Sequence, residues 1–213
     1  MVFALQKQNH IVGINQNADA FLLFSRLLPR IKEIPVVGDK SKGINLETLV
    51  GTSPTLVVLF PGANSAETAK KLSTFGIATE FLQSESMEEL QASMLSLGKI
   101  LDAQEQARKT CDEMKRVMAL PKLHFKKDRP KARVYFSSSR DLLTTHSRKM
   151  LQHDMIESAM AEDVSTIAEG GWATISAEQL LAWNPEVIIV SAGAQYPLDF
   201  EKDARFRDRK SVV

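Results

Sequence analysis

The chain has 213 residues, 44% hydrophobic and 25% charged, enough for one large domain or two small ones with cores of their own. Lys+Arg 27 against Asp+Glu 26 gives a formal net charge of +1, which removes the electrostatic argument for nucleic acid or an anionic membrane surface as partner. The single cysteine, Cys111, excludes an intrachain disulfide and a cysteine-based zinc site, and no run reaches the roughly 18 apolar residues of a membrane-spanning helix.

Met1 to His10 carries no basic segment followed by a long apolar one, so no signal peptide is read there; residues 1–8 have a helix-like composition. Residues 11–14 read as a short strand with 15–17 as its loop, 18–28 as a helix and 35–38 as a second strand. Residues 44–59 then lie without a gap on residues 175–190, so one sixteen-residue pattern occurs twice. In each copy Asn45 or Ser176 caps a short helix, because its side-chain oxygen accepts from the free N–H groups of the first turn. Gln179, three residues after Ser176, adds a capping box to the second copy. Glu47 and Glu178 fall in the first helical turn, where the helix dipole favours negative charge. Ser53-Pro54 and Asn184-Pro185 end the helices, with extended geometry expected before each proline. The four or five apolar β-formers that follow mark a strand buried on both faces.

Residues 61–64 have turn composition, 65–75 read as a helix capped by Ser65 and stopped by Gly76, and 77–82 return as a strand. This βαβ rhythm predicts a parallel sheet covered by helices. Residues 87–120 contain no proline and one glycine, Gly98, with apolar residues at Leu90, Met94, Leu97, Leu101, Cys111, Met114 and Val117. They predict one helix about 45–50 Å long, with a stripe too irregular for a coiled coil. Residues 121–130 read as a basic, solvated loop, 132–136 as a strand, 137–140 as a polar loop and 149–161 as a helix. Gly170-Gly171-Trp172 leads into the second repeat copy, and the tail from Pro197 is polar and unpatterned.

The chain resembles the class III periplasmic substrate-binding proteins of ABC importers, of the ferric siderophore, haem and cobalamin type. Val12-Gly13, Pro35-Val36-Val37-Gly38, Asn45-Leu46-Glu47 through Pro54 with its strand, and Leu97-Gly98-Lys99-Ile100-Leu101 carry the likeness in the first half. Trp172, 176–181 and Asn184-Pro185-Glu186-Val187-Ile188-Ile189 carry it in the second. The resemblance implies an α/β protein of two Rossmann-like lobes with mainly parallel sheets, residues 1–86 and 121–213, joined by one long helix over 87–120. It implies a ligand in the interlobe cleft, no cofactor, no catalysis, and delivery to the importer permease. It further implies a periplasmic or lipid-anchored location outside the cytoplasmic membrane. Against the family pattern the chain reads as truncated at both ends, with its first strand and helix absent or reduced to 1–5 and elements missing after Val213. The expected cargo is a metal chelate, a ferric siderophore first, then haem, cobalamin or an oxyanion.

The resemblance assigns Glu47 and Glu178 to docking on permease arginines; dipole stabilisation of their own helices, about 0.3–1 kcal/mol each, is the plainer reading. Ligands of open α/β sheets bind beyond the carboxyl ends of the strands. That rule selects Asn15, Asn17, Asn64, Arg140 and Tyr196 as ligand contacts, with Arg140 and Tyr196 suited to an anionic chelate. Trp172 stands where the family places a cleft aromatic, with simple packing equally open. His146 lies in a polar loop and reads either as a cleft residue reaching a chelated metal or as an exposed histidine. Trp183 reads as core and His153 as surface. No Gly-x-Gly-x-x-Gly, Walker A, Gly-x-Ser-x-Gly or Cys-x-x-Cys motif is present. The alternative from another class is an intracellular bilobal metal-chelatase-like enzyme, and a third is a fragment without ligand.

Overall fold

The computed structural model describes residues 1–39, 43–62, 64–125 and 130–191. The chain divides into two units: Met1–Gln83 with Leu90–Glu113, and Ser84–Glu89 with the chain from Met114 onward. In chain order the elements are β1 (Ile14–Asn15), α1 (Leu22–Leu27), β2 (Val36–Asp39), β3 (Gly43–Ile44), α2 (Leu46–Gly51), β4 (Leu56–Leu59), α3 (Ser65–Thr74), β5 (Ala78–Phe81), α4 (Met87–Ile100) and α5 (Gln104–His124). After them come β6 (Arg133–Ser137), β7 (Thr144–Thr145), α6 (Leu151–Ser158), β8 (Glu162–Asp163), β9 (Ala173–Thr174), α7 (Ala177–Trp183) and β10 (Val187–Val190).

In the first unit β1 runs parallel to β2, which takes β3 antiparallel, and β4 pairs parallel with β5 from Leu56↔Ala78 to Leu59↔Phe81. Leu49 of α2, Leu72 of α3 and Ile77 close over Val37, Ile44 and Val57. A second cluster, Leu28, Ile31 and Ile34, packs with Phe3 and Phe24, whose rings stack at 4.5 Å. In the second unit β6 lies between β10 and β8, parallel to both, and β7 pairs antiparallel with β9. Tyr135, Val164, Leu180, Trp183 and Ile188 form its main core. The mainly parallel sheets match the sequence expectation, and Trp183 is core, 8% exposed.

The repeated segment folds alike twice. Asn45 Oδ1 accepts from the Thr48 N–H at 3.0 Å, and Ser176 Oγ accepts from the Gln179 N–H at 3.1 Å. The exits differ from expectation. Ser53 and Asn184, each before its proline, are left-handed rather than extended, with φ of +50° and +46°. Each turns back onto its helix, Ser53 N–H to Val50 O at 2.9 Å and Asn184 N–H to Leu181 O at 3.1 Å, so the αL residue closes the helix before Pro opens the strand.

Residues 2–6 form turns rather than a helix, with a 3₁₀ turn at Gln8–His10; the first strand begins only at Ile14, and 18–28 starts as a 3₁₀ turn at Ala18–Ala20 before α1. The helix read over 87–120 is two helices. Ser86 and Glu89 open α4 with a capping box: Ser86 Oγ accepts from Glu89 N–H at 3.2 Å, and Glu89 Oε2 accepts from Ser86 N–H at 3.3 Å. It closes at Asp102, whose φ is +50°, with the Ala103 N–H reaching Gly98 O at 2.7 Å, the six-to-one bond of a Schellman motif. An Asp in the left-handed region gives little signal in sequence, because glycine is the usual residue there. The long helix is therefore α5, 21 residues and about 32 Å. It runs on through Pro121 to His124, past the loop expected at 121, and forgoes only the bond from position 121 to the Val117 carbonyl.

Gly98 is where α4 and α5 touch: a β-carbon there would collide with Ala107 Cβ and sit 3.3 Å from the Ala103 carbonyl oxygen. Both neighbours are short and fixed, so neither can swing aside. Gly98→Ala is expected to lower stability by about 1–3 kcal/mol through overpacking, despite alanine's better helix propensity. Urea unfolding monitored by circular dichroism reads this directly, and a stabilised variant would show that the helices separate freely.

Candidate functional site

In the first unit the selected asparagines sit at strand ends and loops as the fold rule requires, and all three are exposed. Asn15 ends β1, and its Oδ1 occupies the space a β-carbon on Gly38 would need, 2.5 Å away, so Gly38 lets the two strands approach. Asn17 takes a left-handed φ of +64° and makes no side-chain cap. Asn64 starts α3 with its carbonyl, accepting from the Thr68 N–H at 3.0 Å and the Thr68 Oγ1 hydroxyl at 2.9 Å. Ser65 does not cap that helix; its hydroxyl closes the preceding turn on Gly62 N–H and Gly62 O. After the 3₁₀ turn that follows Asn17, Phe21, Leu22 and Leu23 stand exposed.

In the second unit Arg140 is exposed on the turn after β6, where Ser138 Oγ accepts its N–H at 3.1 Å and Asp141 fastens Leu143 N–H and the Thr144 hydroxyl. Trp172 is 47% exposed, with its ring 6.2 Å from Phe136. Tyr196 lies outside the described residues. Glu47 and Glu178 occupy the same position of α2 and α7, the second helical residue after the cap, and both are exposed.

His146 departs from its expected place. It is fully buried, its Nε2 lies 2.9 Å from Asp163 Oδ2, and its Nδ1 lies 3.4 Å from Thr145 Oγ1. With both ring nitrogens engaged inside the protein, it presents nothing to a ligand. Nor is His153 a free surface residue: its Nδ1 lies 2.7 Å from the same Oδ2. Among the described residues no group of three or more His, Cys, Asp or Glu is placed to hold a metal ion.

Asp163 is the residue the sequence reading missed. Its side chain is completely buried, and Oδ1 accepts from the Ser165 N–H at 3.0 Å. Burial pushes its pKa up, but the hydrogen bonds from His146 and His153, the charge interaction with His146 and the Ser165 N–H together hold it below the ordinary carboxylate value. An ionised carboxylate only accepts, so His146 Nε2 and His153 Nδ1 must both carry hydrogens. The sequence signal was an acidic pair, Glu162-Asp163, in front of an apolar Val164, with its partners 17 and 10 residues away.

Asp163→Ala leaves two histidines facing an unpaired buried site and is expected to cost about 3 kcal/mol or more. The pH dependence has a definite sign. The folded carboxylate ionises more readily than the unfolded one, so its contribution is complete above the unfolded value of about 3.9 and is lost as pH falls through it toward the lower folded value. Urea unfolding at pH 7 and pH 3 should show a smaller acid loss in Asp163→Asn than in the wild type; equal losses would remove Asp163 from the account.

Comparison with known proteins agrees with this architecture. The vitamin B12-binding protein of Photorhabdus laumondii is 24% identical over 186 residues, 87% of this chain and 67% of its own length. That of Salmonella typhi is 26% identical over 161 residues, 76% of this chain and 60% of its own. The Helicobacter pylori protein CeuE, solved as a nickel–histidine complex, shares the fold with a TM-score of 0.80 at 22% identity, covering 98% of this chain and 68% of that one. The chain thus spans about 60–67% of the length of these curated relatives. A family model described as periplasmic binding protein matches residues 2–208, and the chain belongs to that family.

Proposed function

We propose that this chain is the substrate-binding component of an ABC importer, capturing a metal chelate and handing it to the permease. The observation that carries the reading is the repeated capped helix, which presents Glu47 from one unit and Glu178 from the other at the same exposed helical position. Fixed carboxylates on two matching elements suit a partner that presents two cationic sites, since charge pairs across an interface set register and approach. Membership of a family of binding proteins supports binding and release over chemistry, and nothing supports the chelatase-like alternative. Membership of the periplasmic binding protein family supports a location outside the cytoplasmic membrane, and among the described residues no helix is long and apolar enough to cross one.

The ligand contacts we assign are Asn15, Asn17 and Asn64 in the first unit and Arg140 and Trp172 in the second, with Tyr196 assigned from sequence alone. Arg140 supplies a charge-assisted donor to an anionic periphery, and Trp172 supplies an apolar face. The resemblance puts a ferric siderophore first; the relatives named for vitamin B12 put a corrinoid beside it.

Calorimetric titration with a ferric siderophore, cyanocobalamin, haemin and molybdate should give saturable binding for one of them. Trp172→Ala should weaken that binding about tenfold or more. Saturable binding of none of the four would overturn the reading. In a second test, Glu47→Ala with Glu178→Ala should leave ligand affinity unchanged and cut uptake through the importer; normal uptake would remove the docking assignment.

A further inference from the structure

We infer that His146, held by Asp163, is the positioning residue for the Trp172 ring, acting through Phe136. Its consequence for binding rests on the reading of Trp172 as a ligand contact. The ring sequence is continuous. Asp163 Oδ2 fixes His146 through Nε2 at 2.9 Å. The His146 ring meets Phe136 edge-on, with centroids 5.9 Å apart and planes at 82°. Phe136 in turn meets Trp172 at 6.2 Å and 40°. A fully buried carboxylate therefore ends, three rings later, at a half-exposed indole.

The His146 ring has little freedom of its own. Ser165 Oγ donates to the His146 carbonyl at 2.9 Å, and Ser165 N–H returns to Asp163 Oδ1, so backbone and ring are tied to the same segment. The residues on either side of His146 anchor the two ends of the Trp172 loop. Thr145 pairs with Ala173 in the β7–β9 ladder, and Ser147 Oγ donates to the Gly170 carbonyl at 2.5 Å. Thr145 Oγ1 also donates to the Phe136 carbonyl at 2.7 Å, holding the intermediate ring's backbone to the same segment. The first anchor, Gly170, has a φ of +89°, and Gly171 follows it; neither has a side chain to restrain the loop. Among the described residues the ring contact of the indole is with Phe136. His153 shares the Asp163 oxygen, and among the described residues no ring pair joins it to Phe136 or Trp172, which makes it the control.

The test labels the protein with 5-fluorotryptophan, whose two resonances are assigned with Trp172→Phe. His146→Gln is expected to shift and broaden the Trp172 resonance while the Trp183 resonance stays in place, and His153→Gln is expected to leave both unmoved. Phe136→Leu removes the intermediate ring with the His146–Asp163 pair intact, should move Trp172 in the same way, and decides the matter if His146→Gln does not fold. An unmoved Trp172 resonance in a folded variant overturns the inference; so does a His153→Gln shift as large as that of His146→Gln, or a common shift of both tryptophans, which would signal general loosening. Equilibrium dialysis with cyanocobalamin and haemin adds the functional arm. Whichever the wild type binds should bind several-fold more weakly to His146→Gln than to His153→Gln. If the wild type binds neither probe nor any other chelate, the functional reading fails, while the fluorine spectra still decide whether His146 positions Trp172.

Discussion

In each unit a helix must stop and a strand must start within a few residues, and the chain meets that constraint with a left-handed residue followed by proline. Each of these strands is partly buried rather than buried on both faces as its sequence suggests. A helix leaves its last carbonyls without intrahelical donors, and a residue in the αL region turns its own N–H back to satisfy one of them. Ser53 and Asn184 do this, and Pro54 and Pro185 then prevent the helix from resuming. The caps at Asn45 and Ser176 fix the other ends. With both ends fixed, the short helices α2 and α7 are rigid enough to hold their second residue, glutamate in both, at a defined place. The same corners launch β4 and β10, the strands that pair parallel with β5 and β6. Core and exposed carboxylate thus depend on one local device used twice.

The two units then complete their interiors by different means. The first relies on apolar contact and close backbone approach: Leu49, Leu72 and Ile77 over the strands, and Gly98 against Ala107 where α5 turns back on α4. The second unit adds a buried charge. A carboxylate at 0% exposure is tolerable only when it is well hydrogen-bonded, and Asp163 collects two imidazoles and a backbone N–H. Those donors come from α6, from the segment after β7 and from the residues just after β8. A satisfied polar centre of this kind specifies one arrangement of three segments, where an apolar filler of equal volume would accept several.

The legible part of this chain was the local part. The caps at Asn45 and Ser176 and the apolar strands follow from residues a few positions apart, visible twice through the repeat. The Gly76 stop at φ +72° is equally local. The Ser65 cap and the extended geometry read before Pro54 and Pro185 did not hold. The break in the helical stretch was not legible. Leu101 continues the apolar stripe, and the left-handed Asp102 that closes α4 carries little signal in sequence; the close approach of Gly98 to Ala107 exists only once α5 has folded back. His146 was misread for a related reason. Its neighbours Thr144, Thr145, Ser147 and Arg148 have loop composition, yet Thr144, Thr145 and Ser147 are buried with it because their hydroxyls bond backbone and side-chain groups of the second unit. Polar composition signals exposure only when the polar groups lack partners inside the protein. The asparagines and Arg140 lie at strand ends and turns, which the carboxyl-end rule reads from the strand assignments alone.

The two tryptophans show how far the surroundings, not the residue type, decide a role. Trp183 completes the apolar face of α7 with Ala177 and Leu180, and its ring lies 6.2 Å from Tyr135 in the core. Trp172 follows two glycines and leaves half of its indole in water, although the protein holds it from behind with Phe136 and the buried His146–Asp163 pair. A large apolar ring that is supported on one side and open on the other is arranged differently from one merely left over at the surface. On the proposed reading of Trp172 as a ligand contact, the support limits the rotamers it gives up on binding, and the open face supplies apolar area to the ligand. Preorganisation of that kind serves capture and release better than it serves folding, where the exposed half of the ring contributes nothing.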